Sequence, residues 1–134
     1  MTPAANRHGV TIMVEVITEV RIEDVPDDFP RVARLGAVAG AQPKLLMTQY
    51  EGKFYELGLS PPEVYERWLN CEDLAQQLSQ AAMASKLGKR AHMTEEEILA
   101  QYVPRLKAQG WGAPEEMEWV ANRAGVILGW RPAA

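Results

Sequence analysis

From Val10 to Ile22 the even positions read Val10, Ile12, Val14, Val16, Thr18, Val20 and Ile22, and the odd positions include Thr11, Glu15, Glu19 and Arg21. Alternation of period two, rich in β-branched residues, is the pattern of a strand with one buried face. A helical register also sets Ile12, Val16 and Val20 on one side; we read the segment as a strand. Residues 23–30 are acidic and contain Pro26 and Pro30, the composition of a loop. Further on, the apolar runs 45–50 and 54–57 flank Glu51-Gly52-Lys53. Two short apolar runs about a glycine-containing turn predict a β-hairpin.

After Leu57 the period changes. Ser60-Pro61-Pro62-Glu63 is a capping box with proline at the first helical position. The spacing predicts a helix to Leu87, stopped by Gly88, with Val64, Trp68, Leu74, Leu78, Ala81 and Ala82 as its core-facing stripe. The polar step Asn70-Cys71-Glu72-Asp73 is a place for a kink or break. Thr94 to Glu97 forms a second capping box, followed by Ile98, Leu99, Tyr102, Val103 and Leu106 on one face. Pro104 should kink or shorten this helix, and Gly110 should end it. Pro114 opens a last helix carrying Met117, Val120, Ala121, Ala124, Ile127 and Leu128 at helical spacing, with Glu115 and Glu116 at the positive end of its dipole. The expected fold is α+β: an N-terminal strand and a β-hairpin packed against three or four C-terminal helices, in one domain spanning 1–134. Residues 1–9 read as a flexible tail, and Met13 is a second candidate start.

The chain has 134 residues, a usual length for one domain. Its 47% of hydrophobic and 24% of charged residues exclude extended disorder. A net charge of −4 disfavours non-specific binding to nucleic acid. Cys71 is the single cysteine, so no internal disulfide can form, which favours a reducing compartment. In its helical setting it reads as a small buried hydrophobe. Glu15 and Glu19 interrupt the apolar run at 10–20 and argue against a membrane span or a signal peptide. A small, soluble, cytoplasmic protein without a membrane partner is the expectation.

Nucleophilic catalysis needs a nucleophile with a base in reach. His8 and His92 stand in a tail and a loop, outside any Ser/His or Cys/His motif. The paired acids sit at helix starts, where capping and dipole roles explain them. No metal-ligand spacing appears, so neither an enzyme nor a cofactor is expected. Lys86, Lys89, Arg90 and His92 cluster between helices and read as a solvated loop that could touch phosphate or an acidic partner. The last two helices, joined at 110–114, have the layout of a helix-turn-helix. The second would offer only Asn122 and Arg123 behind two glutamates, a poor face for a DNA groove. Of the four tryptophans, Trp68 falls on a core stripe, whereas Trp111 lies in a turn and Trp119 lies off the apolar face. Exposed aromatics anchor protein interfaces, so Trp111 and Trp119 are candidate partner-binding residues; the alternative is that both fold over the core edge.

Gly36-Ala-Val-Ala-Gly-Ala-Gln-Pro-Lys44, running through Leu45, Leu46 and Met47–Tyr50 to the turn at Gly52 and Phe54-Tyr55, resembles the glycine-rich loop and hairpin of HipA-type serine/threonine kinases. Those are bacterial toxins or stress regulators. In that family a Val-Ala-Gly-Ala-Gln-x-Lys core lies near the ATP phosphates; the matching positions are Val38, Ala39, Gly40, Ala41, Gln42 and Lys44. The resemblance covers about 20 residues and implies a nucleotide- or phosphate-binding role for Gly36, Gly40, Gln42 and Lys44. The strand carrying the ATP-contacting lysine and the kinase C-lobe have no counterpart, so kinase activity is not carried over. In purely physical terms, small residues let backbone N–H groups approach an anion, or simply supply the dihedrals of a tight hairpin entry. The functional expectation is a non-enzymatic bacterial protein-interaction or regulatory module, with a toxin–antitoxin or defence locus as its setting. Its partner is another protein, and homo-oligomerisation stays open. The alternatives are a small phosphate-binding domain using 36–44 and, more weakly, a DNA-binding regulator.

Overall fold

The computed structural model describes residues 19–33 and 47–132, and these form two compact units. One holds the described residues of 19–26, 31–33 and 47–67, and the other holds 27–30 and those from 68 onward.

In the first unit, strands β1 (Met47–Tyr50) and β2 (Lys53–Glu56) pair antiparallel, with Met47 opposite Glu56 and Tyr50 opposite Lys53. This is the expected hairpin. The two turn residues both have positive φ, 50° at Glu51 and 80° at Gly52. That is the mirror-image type I turn, whose twist matches the strands it joins. Residues 10–18 of the expected N-terminal strand lie outside the described residues. Its expected end is different: Ile22–Asp24 form one turn of 3-10 helix. The Asp24 and Val25 amides donate back to the Arg21 and Ile22 carbonyls, and Arg21 pairs with Asp24 at 3.0 Å. These local bonds tighten the chain just ahead of Pro26, where a strand would need an extended backbone.

Helix α1 (Pro61–Leu87) has the predicted boundaries and runs unbroken through Asn70–Asp73. Its start is held by Glu63. One carboxylate oxygen accepts the Ser60 hydroxyl at 2.6 Å and the Ser60 amide at 3.3 Å, and the other accepts the Gly58 amide at 3.1 Å. The buried stripe differs from the expected one. It passes through Val64, Cys71, Ala75, Leu78 and Ala82, while Trp68 and Leu74 are half-buried and Ala81 is exposed. Steps of three and four residues select the small Cys71 and Ala75, although Leu74 is more hydrophobic.

In the second unit, α2 (Glu95–Ala108) and α3 (Pro114–Leu128) pack against each other. The Thr94 capping box is complete: Thr94 Oγ1 accepts the Glu97 amide at 3.1 Å, and Glu97 accepts the Thr94 amide at 2.8 Å. Pro104 removes one backbone donor, yet α2 continues four residues past it. Ile98, Leu99 and Val120 are wholly buried and form the centre with Met117, Ala121 and Ala124. Each large aliphatic residue so buried contributes about 1.5–3 kcal/mol. At the end of α3, Gly129 is left-handed (φ 76°), its amide donates to the Val126 carbonyl, and the Trp130 amide donates to the Gly125 carbonyl. This paired closure turns the chain back over the helix. Arg131 then reaches Glu96 with two bonds, at 2.8 and 2.9 Å, and Asn122 at 3.1 Å.

Candidate functional site

The loop residues Gly36, Gly40, Gln42 and Lys44 lie outside the described residues. What is described is the hairpin that follows them. One hairpin face carries Met47, Gln49, Phe54 and Glu56, all exposed, with Phe54 at 64%.

The turn between α2 and α3 is fixed at both ends. Gly110 ends α2 in the left-handed region (φ 74°), as its sequence position predicts. Lys107 Nζ meets Glu118 at 2.7 Å across the turn. The Ala113 amide donates to the Glu116 carboxylate at 2.9 Å, and Pro114 presets the first turn of α3. Between these restraints stands Trp111, 53% exposed. The other candidate anchor is corrected. Trp119 is only 6% exposed, because its ring meets Phe29 edge-on, with centroids 5.1 Å apart and planes at 88°. Its indole N–H donates to Asp28 Oδ1 at 3.2 Å. Trp119 is therefore an internal contact and no surface anchor. Phe29, within the stretch expected to be a loop, is 2% exposed. Sequence reading missed this pair; an aromatic residue held between two prolines was the only signal.

The basic cluster is corrected too. Lys86 Nζ donates to the Met93 carbonyl at 2.7 Å. Arg90 donates to Gln101 at 2.8 Å and to Ser85 at 3.1 Å, and Ser85 shares a hydrogen bond with Tyr102. Two of the four basic residues thus hold the α1–α2 connection together, while Lys89 and His92 stay exposed. On α3, Arg123 makes two bonds to Glu72 at 2.9 and 3.1 Å, and Asn122 accepts from Arg131. The side chains that could have read a groove are committed to contacts within the chain, Arg123 to α1 and Asn122 to the segment after α3.

Among the described residues, two carboxylates, Glu63 and Glu96, titrate below their ordinary value. Burial pushes Glu63 up, but the Ser60 hydroxyl, the Gly58 and Ser60 amides and the Thr48 hydroxyl outweigh it and hold it below the ordinary value. The guanidinium of Arg131 donates to Glu96 and lowers it. Both groups are structural. Among the described residues, no three His, Cys, Asp or Glu side chains gather to hold a metal, and no helix is long and apolar enough to cross a membrane. Cys71 is buried. No protein family, curated protein or solved structure matches the chain.

Proposed function

We propose that this chain is a non-catalytic protein-interaction module of regulatory type, which seats its partner on Trp111. The carrying observation is a large indole, 53% exposed, on a turn that two helix ends, a left-handed glycine and an ion pair keep in place. An aromatic side chain presented this way loses little freedom on binding, and such residues dominate interface energetics. The commitment of Asn122, Arg123, Lys86 and Arg90 to internal bonds supports a protein partner over nucleic acid. The bacterial toxin–antitoxin or defence setting rests on the resemblance of residues 36–55 to the HipA-type loop.

The test is affinity capture from the native host with the wild type and Trp111→Ala. A specific partner should bind the wild type and bind Trp111→Ala at least about 30-fold more weakly, the loss of one hot-spot residue. The melting temperatures of the two proteins should agree. Equal capture by both would overturn the reading. A thermal shift with ATP that vanishes in Lys44→Ala would favour the phosphate-binding alternative instead.

A further inference from the structure

We infer that Asp28 and Phe29 act as a ligand bound in cis to the helical unit, and that their seat on α3 accepts a segment of a partner protein in which an acidic residue immediately precedes an aromatic one. The stretch 27–30 is neither helix nor strand, yet it belongs to the helical unit, whereas Pro26 and Arg31 on either side group with the hairpin unit. The stretch that groups with the helices is thus four residues long. Two adjacent side chains address one residue, Trp119, in two chemically different ways. Phe29 brings an aromatic ring edge-on at 5.1 Å, and Asp28 brings a carboxylate that accepts the indole N–H at 3.2 Å. Burial of Phe29 to 2% exposure supplies the apolar anchor, and the Asp28 bond fixes direction and register. This is the recognition mode of short linear segments: one buried anchor, one polar contact and few residues. Pro26 and Pro30 bracket the stretch and limit the freedom it loses on docking.

A segment tethered in cis is present at an effective concentration in the millimolar range. The wild-type seat is therefore filled, and a competitor must be abundant or bind more tightly. Emptying the seat should uncover its affinity. The experiment uses full-length Phe29→Ala, shown to be folded by circular dichroism, and a synthetic peptide of residues 25–31 (Val-Pro-Asp-Asp-Phe-Pro-Arg). Calorimetric titration should give saturable binding, and saturating peptide should raise the melting temperature of the variant by several degrees. The same peptide should leave the wild type unshifted. Peptides with alanine in place of Phe29 or of Asp28 should bind at least tenfold more weakly. If Phe29→Ala does not fold, the double variant Asp28→Ala with Phe29→Leu keeps most of the apolar volume, weakens the cis contact and takes its place. Absence of peptide binding to the folded variant at millimolar concentration would overturn the inference, as would equal binding of the alanine-substituted peptides. Either result would make Phe29 and Trp119 ordinary core packing.

Discussion

Gly125 sits inside the last full turn of α3, where glycine costs a helix about 1 kcal/mol relative to alanine. By propensity alone, Gly125→Ala should stabilise the protein. The surroundings oppose this. A β-carbon at Gly125 would stand 2.9 and 3.1 Å from the Arg131 methylenes and 3.0 Å from a methyl of Leu99. Arg131 cannot swing aside cheaply, since its guanidinium is tied to Glu96 and Asn122, and Leu99 is wholly buried. Overpacking of this kind costs about 1–3 kcal/mol. Against the propensity gain, the net effect is a loss of roughly 0–2 kcal/mol, or a melting temperature lower by up to about 6 °C at this chain length. Urea unfolding of wild type, Gly125→Ala, Arg131→Ala and the double variant separates the two contributions. Arg131→Ala removes two of the three close atoms, so Gly125→Ala should do less harm in that background, with a coupling of at least about 0.5 kcal/mol. A gain of about 1 kcal/mol from Gly125→Ala in the wild type, or strict additivity, would refute the close packing described at this helix end.

Two further outcomes follow from local geometry. Glu51 occupies a left-handed position that asparagine tolerates far better, so Glu51→Asn should stabilise the hairpin by roughly 0.5–1 kcal/mol, seen as slower amide exchange in β1 and β2; unchanged or faster exchange would count against the turn assignment. Glu63 is held below the ordinary glutamate value of about 4.3, so its contribution is complete above that pH and is lost as the pH falls through the lower folded value. Glu63→Gln should therefore flatten the acid limb of a stability–pH profile, and an unaltered limb would show that the Ser60 and Gly58 bonds do not hold the charged form.

The helices were legible because their signals close within a few residues. Ser60 with Glu63, Thr94 with Glu97, and Pro114 mark starts, and Gly88 and Gly110 mark stops, so two helices could be bounded at both ends and the third at its start from local chemistry. The hairpin was legible for the same reason, through its turn at Gly52. The fate of Trp119 was not, because its partners Asp28 and Phe29 stand about 90 positions earlier in the chain. Lys86 and Arg90 looked solvated because charge suggests exposure, whereas their acceptors, Met93 and Gln101, emerge only when α1 and α2 fold back. Within α1, hydrophobicity favoured Leu74 over Ala75, and the helical period decided otherwise. Of the expected anchors, only Trp111 stands exposed among the described residues.

The contact between Asp28 and Trp119 also orders events in time. Lys107 and Glu118 are 11 residues apart, whereas Asp28 and Trp119 are 91 apart, about three doublings of loop length. Each doubling adds about 0.6 kcal/mol of closure entropy, so the longer loop costs roughly 2 kcal/mol more to shut. The pairing of α2 with α3 can form early from neighbouring sequence, and the seating of Phe29 waits for it. During synthesis the delay is longer still. At about 5–20 residues per second, Phe29 is made roughly 5–20 seconds before Trp119. For that interval an aromatic side chain meant for burial travels on a nascent chain that does not yet contain the surface that receives it.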